Sequence, residues 1–226
     1  MGSKRRLPSA PSAWQLPAMI LIGQYDSPFV RRVGIALTLY GLPFSHQPWS
    51  TFSDADKLRP YNPLTRVPTL VLDNGETLIE SHAILDYLDS LVPADRAMFP
   101  QTEPARHRAL KVAALATGLG DKAVSLFYEK RLHKEVSEAW VNRCRAQIMA
   151  VLDVLEADRA SRTTVYWFGD RIGHVDIAVA TVLGFVMEAH PGLVLLGDFP
   201  GLNAHAGRLE ALPVFQAIKQ PFIPPA

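Results

Sequence analysis

The sequence predicts an α/β domain followed by an all-helical one. Three observations carry this. A strand, a helix and a second strand open the folded part, and a hairpin and helix close that half. No strand alternation follows the Pro93–Pro104 region. The most apolar stretch of the second half, 176–188, is hydrophobic nearly all round, as a central buried helix must be.

Met19-Ile20-Leu21-Ile22-Gly23 is a short apolar run that reads as a buried strand. Ser27-Pro28 then starts a helix, with Ser at the N-cap and Pro in the first turn. Val30, Val33, Ile35, Leu37 and Tyr40 supply its apolar contacts, and Gly41 ends it. Residues 44–49 form a weaker strand, which Pro48 assigns to a sheet edge. Pro60, Asn62 and Pro63 restrict 50–66 to loop and a short irregular helix. Pro68 opens the next strand. Asp73-Asn74-Gly75-Glu76 predicts a type I′ hairpin, because Asn-Gly tolerates positive φ at both central positions. Ser81 sits where an N-cap belongs, ahead of Ala83-Ile84-Leu85-Asp86-Tyr87-Leu88. The strand–helix–strand unit should be parallel and right-handed, and the hairpin makes the sheet mixed.

In the second half, 105–131 is helical, with Leu110, Ala113, Thr117, Val124 and Tyr128 roughly on one face. Gly118 and Gly120 weaken it by about 1 kcal/mol each relative to Ala and allow a kink or a close approach. Residues 137–157 are amphipathic, with Val141, Cys144, Ile148, Val151 and Leu155 on one stripe. Two short helices follow, 201–212 and 214–220, split by Pro213; Pro221, Pro224 and Pro225 end order. The expected divisions are a disordered leader at 1–18, a sheet domain at 19–94, a linker at 95–104 and a helical domain at 105–226.

Composition narrows the function. The 226 residues are 48% hydrophobic and 20% charged, with net charge +1. Residues 1–18 carry three basic side chains and no acids; the remainder holds 20 basic and 22 acidic residues, near −2. This gives no support for nucleic-acid binding or a basic membrane surface. The single cysteine, Cys144, rules out an internal disulfide and a thiolate metal site, and suits a reducing cytosol. It lies on an apolar stripe, so a buried thiol is expected. The seven histidines show no paired metal spacing. The longest apolar run, 177–187, is too short to span a membrane.

The chemistry gathers at the ends of the first strands. Ser27 lies at the strand–helix junction, where α/β folds place ligands. Its hydroxyl can donate to an anion, and the helix N-terminus adds positive potential. A thiolate suits such a place. Lowering a thiol from its usual pKa of about 8.5 by about two units takes roughly 2.7 kcal/mol, which one charge-assisted hydrogen bond and the helix field can supply. The plainer role of Ser27, helix capping, is compatible with this one. Val67-Pro68 is trans by default, since only about 5–6% of X–Pro bonds are cis. A cis bond would expose the Val67 N–H and C=O to an extended peptide ligand. Glu80 and Ser81, at a helix start, can hold the carboxylate and ammonium of an amino-acid-like group, or simply cap the helix.

Three segments together resemble the glutathione transferase superfamily: Ser27-Pro28-Phe29-Val30-Arg31-Arg32-Val33, Asn62-Pro63-Leu64-Thr65-Arg66-Val67-Pro68-Thr69-Leu70, and Glu80-Ser81. The resemblance implies a thioredoxin-like N-terminal domain (βαβαββα), an all-helical C-terminal domain and a two-fold homodimer. It implies a cis Val67–Pro68 bond. It assigns Ser27 as the activating hydroxyl, Val67 to the cysteinyl backbone of glutathione, Ser81 to the γ-glutamyl carboxylate and Glu80 to its ammonium side. Glutathione is then the co-substrate, without metal, for conjugating or isomerising a small hydrophobic electrophile, a cytoplasmic detoxification chemistry. The alternative is a non-catalytic glutathione-binding or protein-interaction module of the same fold. Ser27 replaces the cysteine of omega-like members, which excludes mixed-disulfide chemistry through it. The Ser-Cys-rich run of the zeta class is absent, which argues against maleylacetoacetate isomerase. Gly173 replaces the usual Ser/Thr of the family's capping box in 169–176, leaving Asp176 to serve at N3. The electrophile is expected between the first-helix loop and the face near Ala113, Thr117 and Tyr128. Tyr25 is a weaker candidate than Ser27. Arg31 and Arg32 are expected at the surface, solvated or in an inter-subunit contact, and Arg66 is expected at the surface, within reach of a ligand carboxylate as the alternative.

Overall fold

The computed structural model describes residues 19–225; the expected leader lies outside them. Its first half contains β1 (Met19–Ile22), α1 (Pro28–Tyr40), β2 (Phe44–Gln47), α2 (Ala55–Leu58), β3 (Thr69–Val71), β4 (Thr77–Ile79) and α3 (Ser81–Ser90). The sheet order is β2-β1-β3-β4, with β2 at the edge as Pro48 requires. β1 and β2 are parallel, while β3 runs antiparallel to both β1 and β4. The second half is helical: α4 (Ala105–Leu132), α5 (Glu138–Ala160), α6 (His174–Ala189), α7 (Pro200–Glu210) and α8 (Pro213–Ala217), with one 3-10 turn at Leu196–Asp198.

Helix α1 follows its sequence signals. Ser27 caps it, Pro28 opens it, and Gly41 closes it at φ 69°, returning its N–H to Leu37 and Thr38. Its five expected apolar residues are all buried. Arg31 and Arg32, expected at the surface, are 6% and 0% exposed. Arg31 is accommodated by partners far along the chain: both Glu210 carboxylate oxygens, at 2.6 and 2.9 Å, and the carbonyls of Phe215 and Ile218.

The hairpin also differs from expectation. Gly75 donates to the Leu72 carbonyl at 3.0 Å and Leu72 donates to Glu76 at 2.8 Å. Only Gly75 has positive φ, 84°. The loop is therefore the three-residue kind, a turn over Asp73 and Asn74 followed by a left-handed glycine.

Helix α4 is unbroken across Gly118 and Gly120. A Cβ on Gly120 would lie 3.2 Å from both Phe29 and Val182, so this glycine lets α1 and α6 approach α4 closely. Leu110 does not share the buried face: it is 36% exposed. Helix α6 is buried nearly all round. At its start Asp176 accepts from the Gly173 N–H at 2.8 Å and from Trp167 N–H at 2.7 Å. Cys144 is fully buried.

A buried polar hub joins the halves. Asp89 of α3 accepts from the Tyr40 hydroxyl, from the Phe99 N–H at 3.0 Å and from His174 Nε2 at 2.7 Å. Met98 N–H donates to Tyr40 at 2.8 Å. Ile177, Ala180, Leu209 and Phe215 of the helical half pack into the same core as α1 and α3. Among the described residues no helix is long and apolar enough to cross a membrane.

Candidate functional site

The turn from β1 into α1 is held by tight packing. Gly23 has φ +129°, and a Cβ there would sit 2.5 Å from Val30 Cγ2 and 2.8 Å from Val67 Cβ. Only glycine lets this turn, α1 and the Val67 segment meet. His46 Nε2 lies 2.7 Å from the Gly23 carbonyl, and its ring stacks on Tyr25 at 3.9 Å. Tyr25 does not line the cavity beside Ser27. Burial pushes its phenol up to about 12, the wrong direction for an activating group.

Ser27 opens α1 with its side chain on a cavity of about 360 Å³. The capping bond from Val30 N–H to its Oγ is long, 3.5 Å, so the hydroxyl is only loosely engaged. The Val67–Pro68 bond is cis. Among the described residues, no hydrogen bond uses the Val67 N–H or C=O. Phe29, Arg66 and Val67 line this cavity and also a smaller recess of about 40 Å³. Glu80, Ser81, His82 and Thr117 line the smaller recess. The sequence-selected Ser27, Val67, Glu80 and Ser81 thus lie along one path, with Val67 in the middle.

Ser81 is not the N-cap. It is the first residue of α3, and Glu80 holds the cap position at φ 67°. A positive φ on a non-glycine residue costs of order 1–3 kcal/mol, and such strain clusters at ligand sites. It swings the chain from β4 into α3, so that the Glu80 carboxylate and the Ser81 hydroxyl border one recess. Arg66 bridges Glu80 at 3.1 Å, with both side chains more than half exposed, so the pair is weak and exchangeable.

The face expected to receive an electrophile borders the larger cavity only in part. Tyr128 lines the larger cavity, joined by Val124 and Phe127. Ala113 is buried in the helical core, and Thr117 bonds to His82 at 2.8 Å beside the smaller recess. Pro221 does not end order. Phe222 N–H donates to Glu188 at 2.9 Å and Ile223 N–H to Asp26 at 3.1 Å. The Phe222 ring packs edge-on against Phe127 and Phe185. The last segment is therefore a cavity wall that the sequence reading missed; its signal was an apolar pair set between prolines. Burial raises the Asp26 carboxyl above its usual range, opposed by the N–H bonds of Ile223 and Ser27. Among the described residues no cluster of His, Cys, Asp or Glu is placed to hold a metal ion.

This architecture, a four-stranded thioredoxin-like sheet leading into a helical bundle with a two-part groove between them, defines a class. The family models for the glutathione S-transferase N-terminal and C-terminal domains match residues 21–96 and 138–208. The chain is 32% identical to the uncharacterised GST-like protein YibF of Escherichia coli K12, over 74% of this chain and 82% of that one. It is 28% identical to a maleylacetoacetate isomerase of Pseudomonas aeruginosa, over 88% and 97%. A glutathione S-transferase crystal structure from Methylobacterium radiotolerans, in complex with glutathione sulfonate, superposes with a TM-score of 0.84 at 30% identity, covering 92% of this chain and 99% of that one. The chain belongs to the glutathione transferase superfamily.

Proposed function

We propose that the protein is a serine-type glutathione transferase. Glutathione lies along the path from the smaller recess to the larger cavity, its sulfur beside Ser27. The carrying observation is that Ser27 and the Glu80-Ser81 corner line two recesses that share Val67 as a wall. The Ser81 hydroxyl and the start of α3 receive the γ-glutamyl carboxylate. Glu80 receives the ammonium, displacing its exposed Arg66 partner. The unengaged Val67 backbone pairs with the cysteinyl residue as an added strand. Ser27 donates its proton as a hydrogen bond to the sulfur, the thiol proton having gone to solvent. The thiolate electron pair forms a bond to an electrophilic carbon. In conjugation a leaving group departs with its bonding pair; in isomerisation the sulfur adds and is later expelled.

The acceptor occupies the larger cavity against Phe29, Phe127, Tyr128 and Phe222. These walls favour a small apolar or aromatic electrophile. A two-fold homodimer and a cytoplasmic setting, where glutathione is plentiful, complete the proposal.

Melting in the presence of glutathione, followed by a conjugation screen against several electrophiles, tests the reading. Stabilisation with turnover supports it. Stabilisation without turnover against any electrophile favours the non-catalytic module. No stabilisation removes both. Ser81→Ala should weaken glutathione binding about 10- to 100-fold, the loss of a charge-assisted hydrogen bond, while turnover at saturating glutathione changes little. Ending the chain after Gln220 removes Phe222 and Ile223. It should raise KM for apolar electrophiles several-fold and leave glutathione affinity within about twofold, because at least one large side chain leaves the acceptor wall.

A further inference from the structure

Arg32 is the most unusual charged group in the molecule. It is 0% exposed, and its Nε and Nη2 have no hydrogen-bond partner among the described residues. Among the described residues no carboxylate pairs with it. The buried acid Asp89 is occupied by Tyr40, Phe99 and His174. A lone buried cation is strongly unfavourable unless something answers its charge. Among the described residues its one bond runs from Nη1 to the Ser81 Oγ, at 3.4 Å.

We infer that Arg32 is a positioning residue for the ligand's γ-glutamyl carboxylate, acting through Ser81 from beneath the recess. The inference rests on the proposed glutathione site and deepens it. A guanidinium has donors only, so the Ser81 oxygen must accept from Arg32. The single Ser81 hydroxyl proton is thereby turned away from the core and toward the recess. A carboxylate arriving there accepts that proton's hydrogen bond and also supplies the counter-charge that Arg32 lacks. Burial pushes the guanidinium down to about 9, which leaves it cationic at neutral pH. Arg32 does not line the recess, so its contribution is orientation and charge, without contact.

The test compares two ligands: glutathione and γ-aminobutyryl-cysteinylglycine, which lacks only the γ-glutamyl carboxylate. Wild type should bind glutathione at least tenfold more tightly than the analogue. In Arg32→Met that preference should shrink at least fivefold, with affinity for the analogue within about twofold of wild type. Equal weakening of both ligands would mark Arg32 as merely structural and overturn the inference, as would an unchanged preference. If Arg32→Met does not fold, Arg32→Lys decides by the same ratio, since a shorter ammonium cannot hold the same bond to Ser81. If wild type fails to bind glutathione at all, the proposed site itself fails and the inference with it. If wild type binds but its preference is independent of residue 32, only the inference fails.

Discussion

Ser27→Ala is expected to lower turnover about 10- to 150-fold at neutral pH, the kinetic equivalent of losing a hydrogen bond to a charged group worth about 1.5–3 kcal/mol. Glutathione affinity should stay within about threefold, because Glu80, Ser81 and the Val67 backbone are untouched. The pH profile separates this role from capping. With the hydroxyl gone, the bound thiol ionises at higher pH, so the rate rises later and the variant recovers toward wild type in alkali. Stability should change by less than about 1 kcal/mol, since the capping bond to Val30 is already 3.5 Å long. Steady-state rates across pH, with glutathione affinity measured by titration, check the result. Undiminished turnover at neutral pH takes Ser27 out of the mechanism.

Asp89→Ala should be the most destabilising single change outside the groove. It strands the Tyr40 hydroxyl, the Phe99 N–H and His174 Nε2, all in the buried joint between the sheet half and the helical half. Each buried donor left without its acceptor costs about 1–3 kcal/mol, so the three together should cost about 3–5 kcal/mol. For a chain of this size that lowers Tm on the order of 10 °C. Denaturant titration and thermal melts measure both. A loss below about 1 kcal/mol would show that the joint holds without it.

The same hub sets an acid limit. Burial raises the Asp89 carboxyl, but the bonds from His174, Tyr40 and Phe99 outweigh it and hold the group below the usual carboxylate range. Burial holds the His174 imidazole below its ordinary value despite Asp89, so it is neutral. Both folded values lie below the unfolded ones. The unfolded chain therefore takes up more protons as pH falls, and their stabilisation is lost on acidification. The histidine component begins to go below about pH 6.5 and the carboxylate component below about pH 4. His190, also depressed chiefly by burial, adds the same sign.

Much of the sheet half was legible because its punctuation is local. Ser27-Pro28 and Gly41 bracket α1 through their own backbone preferences, and Pro48 marks an edge. Misreadings arose where local signals had two solutions or where partners were remote. Asn74-Gly75 admits both a two-residue and a three-residue turn, and the Val71–Thr77 register selects the longer one. Ser81 looks like a cap in isolation, but the positive φ of Glu80 moves the boundary by one residue. Arg31 and Arg32 read as solvated because charge usually is; the groups answering Arg31 lie 179 to 187 positions away. Ser27, Val67, Glu80 and Ser81, the residues of the proposed site, line the two neighbouring recesses and were selected from short motifs. Phe127 and Phe222 were not, because apolar wall residues carry no spacing that separates a cavity lining from a core.

The bond between Ile223 and Asp26 spans 197 positions and fastens the last described turn of the chain beside the residue that precedes Ser27. During synthesis the residues around Val67 and Glu80 that line the smaller recess leave the ribosome well before the segment around Phe222 that walls the larger cavity. A growing chain thus completes the sheet side of the groove, Ser27 included, long before the larger cavity gains its Phe222 wall. Cleavage within this segment opens the larger cavity first and reaches the smaller recess only indirectly.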